Sequence, residues 1–286
     1  MAALDGLKIL DMTQWEAGPS CAQQLAWLGA DVLKVEPIQG EVSRRAWGGA
    51  GSSQYILNYN GNKRSLAVDL KSERGRQLII DLVPNFDVIV ENQGPGVVER
   101  LRLGPDDLRP LNAGLIYARI KGFGLDGPYS SFKSFDPLAQ AAGGIFSVTG
   151  EANGPPVRVG ATFGDTGTGT QTALAITAAY VQQQRTGEGQ VIEVSMQEVM
   201  SHFIRTAACQ NWDEKGPPAG RADMATGAPS GMFKCKGGGP NDYAFVQITS
   251  REMWEANNEL YREAQGTFTM NYGYFNTLRS QLSVVH

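Results

Sequence analysis

The chain has 286 residues, 42% of them hydrophobic and 19% charged, with a formal net charge of −4. This is enough apolar material for one large domain or two ordinary ones, and it excludes a disordered chain. With no basic run, a nucleic-acid partner is not expected, and no apolar stretch has the length of a membrane helix.

The first elements read as an α/β protein. Leu7 to Leu10 is a short strand; Gly18-Pro19 breaks the chain, and Ser20 to Leu28 is a helix that ends at Gly29. Asp31 to Glu36 is a second strand, which completes a β-α-β unit with a right-handed crossover. Ser65–Leu70, Asp87–Glu91 and Leu115–Ile120 are further strands, with helices over Glu73–Leu82 and Pro95–Leu101 between them. This alternation predicts an open, doubly wound, Rossmann-like parallel sheet with helices on both faces. Residues 126–205 read as mostly helical, with one strand over Gln190–Ser195. From residue 216 Gly, Pro and Ala accumulate, and a hairpin follows: Gly231–Lys236, the loop Gly237 to Asn241, then Asp242–Thr249. A helix is expected from Ser250. The expected division is a large domain over 1–215 and the start of a smaller α+β domain over 216–286.

The residue types narrow the chemistry. Only two histidines occur, His202 and His286, which nearly excludes a Ser-His-Asp triad or a multi-histidine metal site. Cys21, Cys209 and Cys235 are widely spaced and odd in number, so no metal is expected. With no basic-then-apolar leader at the N-terminus, they suit a reducing cytoplasm. Carboxylates remain as the chemical groups.

The segment Gly160 to Thr170 sets one carboxylate, Asp165, among glycines and small hydroxyl residues. No charge occurs from Gln171 to Gln184, so a largely buried helix is predicted behind it. Asp165 is then either the cap of that helix or an anionic group at a helix N-terminus in a site, with glycines leaving room for a ligand. Glu36 is either a solvated carboxylate at a strand end or a ribose contact. Asn62-Lys63-Arg64, with Lys71, Arg74 and Arg76, is either a surface cluster or a phosphate contact. Lys133 and Asp136 read first as a local ion pair plus a helix cap. Gly122 to Gly127 matches G-x-G-x-x-G after a strand but continues as loop through Pro128 and Tyr129, so nicotinamide or flavin binding is disfavoured.

Several pieces in order resemble the family III CoA-transferases, whose fold is shared by the α-methylacyl-CoA racemases. They are Ala17-Gly18-Pro19 with Leu28 to Glu36, Asn62 to Ser65, Val90-Glu91-Asn92 with Gly94-Pro95-Gly96, Lys121 to Gly124, Gly164-Asp165, and Thr186 to Gln190. The resemblance runs from about Leu7 to about Trp254. It implies that Asp165 is the nucleophile of CoA transfer from an acyl-CoA thioester to a carboxylic acid, through covalent aspartyl intermediates. By the same resemblance Gln14, Trp15, Glu16, Ala17, Glu36, Leu70, Lys71, Asn92, Gln93, Arg100 and Lys133 contact CoA. Asp136 is the acidic partner of the nucleophile region. No permanently bound cofactor is implied; CoA enters as thioester substrate, and two chains are expected to interlock as a homodimer.

The chain departs from the family pattern at two places. The formyl-CoA:oxalate transferases carry Gln where this chain has Glu16, which argues against an oxalate dianion as acceptor. From about Asn257 the sequence reads as divergent or truncated, which leaves open a non-catalytic CoA-binding chain. An acyl-CoA racemase is the other alternative. It needs a proton-transferring His directly before the acidic residue, where this chain has Phe135.

Overall fold

The computed structural model describes residues 1–151, 153–209, 231–235, 239–248, 250–256 and 259. Its centre is a six-stranded, all-parallel sheet in the order β3-β2-β1-β4-β5-β6. The strands are β1 (Lys8–Met12), β2 (Asp31–Glu36), β3 (Lys63–Ala67), β4 (Val88–Glu91), β5 (Ile116–Lys121) and β6 (Val191–Ser195). This is the doubly wound order, with the switch point between β1 and β4. Strand residues alternate between two apolar clusters. Ile9, Val88, Val90, Ile116 and Ala118 face one, and Leu10, Ile89 and Tyr117 face the other. Both faces of the central strands β1, β4 and β5 are therefore buried, as parallel strands covered by crossover helices require.

The first face is covered by α1 (Ala17–Trp27) and by a long helix over Thr168–Thr186. The other face is closed by Ile79 and Val83, at the end of the helix Glu73–Leu82, together with Leu103 and Leu108. We number the remaining α-helices α2 (Gln54–Asn60), α3 (Glu73–Leu82), α4 (Val97–Arg100), α5 (Pro105–Leu108), α6 (Asp136–Ala142), α7 (Thr168–Thr186), α8 (Met196–Phe203) and α9 (Arg205–Cys209).

Four details differ from the sequence reading. Gly18-Pro19 does not break the chain: α1 starts at Ala17, and Pro19 sits in its first turn, where a missing N–H removes no helical bond. Strand β3 begins at Lys63 rather than Ser65, which draws the expected basic tip into the sheet. The helix Gln54–Asn60 carries no strong signal and goes unread; Ser53 caps it by accepting the Ile56 N–H at 3.1 Å. Helix α7 is buried along one stripe only: Ile176 is fully buried, whereas Leu174 is 63% exposed and Val181 44%.

Packing divides the chain into two compact units, one of residues 1–147 and 157–206, the other formed within Val148–Pro156 and from Ala207 onward. The second unit holds an antiparallel pair, β7 (Gly231–Lys234) with β8 (Tyr243–Val246), and residues 251–256 are helical. The boundary expected near residue 215, and the expected divergence from Asn257, lie outside the described residues apart from residue 259.

Candidate active site

The carboxyl ends of β1 to β5 open onto two neighbouring cavities in the first unit. The larger, about 720 Å³, has Glu36, Leu70, Lys71 and Arg100 in its wall. The smaller, about 370 Å³, has Trp15, Ala17, Asn92, Lys133 and Asp165. Gln14 and Gln93 line both. The loops after β1 and β4 are tied across the switch point. The Gln14 N–H donates to Asn92 Oδ1 at 2.8 Å, Asn92 Nδ2 donates to the Gln14 carbonyl at 2.7 Å, and Gln93 Nε2 donates to the Met12 carbonyl at 2.8 Å. Open α/β sheets offer ligands a crevice at this place because the flanking loops diverge there.

Asp165 sits in a π-helical turn, Phe163–Gly167, that runs directly into α7. Its side chain caps neither helix, so the capping role fails. The turn is held from two sides. Glu16, buried at the N-cap of α1, accepts from Thr166 Oγ1 at 2.8 Å, from Thr162 Oγ1, and from the Tyr55 hydroxyl at 2.9 Å. Asp136, buried in the first turn of α6, accepts the Gly164 N–H at 2.8 Å. Gly164 and Gly169 serve this packing. A Cβ on Gly164 would lie 2.7 Å from the Asp136 carbonyl oxygen, and one on Gly169 2.6 Å from that of Ala17.

Three carboxyl groups therefore converge on one turn. Burial pushes the Asp165 carboxyl up to about 7, and the neighbouring charges of Glu16 and Asp136 push in the same direction. A carboxylate raised in this way is more basic and more nucleophilic once ionised, and it faces the smaller cavity.

Other expected residues take different places. Lys133 is exposed at the smaller cavity and does not pair with Asp136. Asp136 instead meets Arg158 at 3.1 Å and Gln140 Nε2 at 3.0 Å, because the start of α6 turns it inward. Glu36 is not solvated. It is 2% exposed, and its oxygens accept from Arg44, from Ser65 and from the Glu41 N–H. Burial opposes its ionisation, but these hydrogen bonds prevail and hold its carboxyl down near about 2. The Lys63 side chain is buried and pairs with Asp11 at 2.8 Å, whereas Arg64, bridged to Asp31, and Lys71 and Arg74 stay on the surface. Glu16 and Asp136 line neither cavity; they stand behind Asp165. Sequence reasoning missed Thr162, Thr166, Tyr55, Glu41 and Arg158, since no local pattern pairs residues up to 150 positions apart. Among the described residues no cluster has the composition of a metal site, and no helix is long and apolar enough to cross a membrane.

The family model of the CoA-transferases of family III matches residues 4–280. The chain belongs to this family. The match runs past Asn257. A formyl-CoA:oxalate CoA-transferase of Streptomyces avermitilis is 41% identical over 275 residues, which cover 90% of this chain and 66% of that protein. One of Rhodopseudomonas palustris is 38% identical over 276 residues, 88% of this chain and 64% of its own length. The chain thus spans just under two thirds of these relatives. The crystal structure of a CAIB/BAIF family protein from Brucella suis superposes with a TM-score of 0.85 at 30% identity, covering 99% of this chain and 77% of that one. A hypothetical protein from Mycobacterium tuberculosis gives 0.79 at 32% identity, covering 91% and 68%.

Proposed function

We propose that the protein is a CoA-transferase that moves CoA from an acyl-CoA thioester to a carboxylic acid, with Asp165 as nucleophile. The observation that carries this reading is the Asp165 carboxyl itself: uncapped, raised to about 7 and facing a cavity at the switch point. Family membership and relatives named formyl-CoA:oxalate CoA-transferase support it.

In this mechanism an Asp165 oxygen attacks the thioester carbonyl, the C–S bond breaks, and CoA leaves as thiolate. The product is an acyl-aspartyl anhydride. The thiolate then attacks the aspartyl carbonyl, expelling the acyl group as a carboxylate and leaving an aspartyl-CoA thioester. The acceptor carboxylate attacks that carbonyl and again frees the thiolate. The thiolate finally attacks the acceptor's acyl carbon and releases Asp165. Each step exchanges one nucleophile for one leaving group, so no external proton or redox partner is needed. The walls of the larger cavity suit a long polar ligand, with Lys71 and Arg100 available to phosphates and Val35, Ile38 and Leu101 to apolar parts. The carboxylates of Glu16 and Asp136 behind the nucleophile favour a monocarboxylate acceptor over a dianion such as oxalate. A homodimer is part of the same reading.

Racemisation is the weaker reading. Phe135 carries no proton, and Asp136 is already engaged by Gly164, Gln140 and Arg158. The test is mass spectrometry of the protein after incubation with a panel of acyl-CoAs. A covalent CoA adduct on the Asp165 peptide is expected, absent in Asp165→Ala while CoA binding persists. Near-wild-type turnover by Asp165→Ala, or rapid Cα deuterium incorporation into a 2-methylacyl-CoA in D₂O, overturns the reading.

A further inference from the structure

The turn after β1 contributes Gln14 to both cavities, Trp15 to the smaller one, and Glu16 to the clamp on the nucleophile turn. It is held in an unusual backbone shape. Trp15 has φ +64°, in the left-handed region that a bulky side chain rarely adopts. Such a conformation persists only where the surroundings over-determine it.

Besides the Asn92 bonds to Gln14, one buried ion pair contributes to that constraint. Glu41, from the loop after β2, accepts the Trp15 N–H on Oε1 at 2.7 Å. Its Oε2 faces Lys34 Nζ at 3.1 Å, both side chains being almost wholly buried. Lys34 Nζ in turn donates to the Thr13 carbonyl at 2.9 Å. The pair therefore grips the turn on both sides of Gln14. The Glu41 N–H also donates to Glu36 Oε2 at 3.1 Å, which joins the wall of the larger cavity to the floor of the smaller. A buried ion pair is not explained by stability alone, because apolar residues of similar volume usually do as well or better.

We propose that Glu41, supported by Lys34, is a positioning residue for CoA transfer: by holding the Trp15 N–H it sets the turn whose next residue, Glu16, clamps the Asp165 segment. This rests on the reading of Asp165 as nucleophile. Lys34 is in neither cavity wall; Glu41 also borders the larger cavity, but its carboxylate is turned to the Trp15 N–H and to Lys34.

Two double variants separate geometry from charge. Lys34→Met with Glu41→Gln removes the ion pair but leaves an acceptor for the Trp15 N–H. Lys34→Met with Glu41→Leu removes both. The first should keep kcat within about threefold of wild type. The second should lose at least about tenfold in kcat, as small misplacements at a reacting centre do. Its affinity for free CoA should change by less than about threefold. Amide hydrogen exchange on the unmodified protein supplies a readout independent of folding in the variants and of turnover: the Trp15 amide should be strongly protected. The proposal is overturned if the Met/Leu variant keeps kcat within about twofold. Equal kcat losses in both variants, in step with equal losses of melting temperature, also overturn it. So does a Trp15 amide in the unmodified protein that exchanges like an exposed one. An unmodified protein without CoA exchange refutes the transferase reading and the role in CoA transfer with it, and the Trp15 amide then decides only whether Glu41 holds the turn.

Discussion

Replacing Asp165 by Asn removes a titration while keeping the side chain's shape, and the structure fixes the sign of the effect. The folded protein holds the Asp165 proton up to about pH 7, whereas the unfolded chain releases it near the ordinary value of 3.8. Between those limits the native state binds more protons, so its stability falls as pH rises through the window and is lowest above it. The whole rise corresponds to at most about 4 kcal/mol. Roughly 2.5 kcal/mol of that falls between about pH 5 and about pH 8.5, since part of the loss precedes pH 5. Partial exposure of the carboxyl and solvent screening reduce it, so about 1–2.5 kcal/mol is expected. Urea denaturation of both proteins at the two pH values measures the difference. Asp165→Asn should gain on the wild type by that amount on going from the lower to the higher pH. Using the change between two pH values cancels any pH-independent effect of the amide. If the gap between the proteins stays constant within about 0.5 kcal/mol, burial between Glu16 and Asp136 does not raise the Asp165 carboxyl, and the electrostatic account fails.

Gly164→Ala should cost about 1–3 kcal/mol and abolish CoA exchange, because backbone rather than a flexible side chain occupies the space of the new Cβ. Unchanged melting with full activity would show that the turn relaxes freely. Charge reversal at Arg100 or Lys71 should weaken CoA binding about tenfold at low salt and flatten its salt dependence. Titration calorimetry giving wild-type isotherms for both variants would exclude the larger cavity as the phosphate site.

The sheet is legible in the sequence because its central strands are buried on both faces and separated by helices of ordinary length. Apolar runs such as Asp87–Glu91 and Leu115–Ile120 stand out, and the helix expected over Glu73–Leu82 has those same ends in the structure. Asp165 was singled out by its glycine frame and by the family motif. The carboxyl-end location of the crevice followed from the β-α-β order alone. What the chain order left undecided were the ionic contacts. Glu36 and Lys63 look like surface charges in a local window, yet both are drawn inside by partners from other strands and loops, Arg44 and Asp11. Helix α7 has no charge along much of its length, but burial depends on what packs against it, and α1 and the sheet reach only one stripe. The basicity of Asp165 is likewise a tertiary property. It arises first from burial of the carboxyl and then because α1 brings Glu16, and α6 brings Asp136, to the same turn; electrostatic energy depends on dielectric and distance rather than on position in the chain.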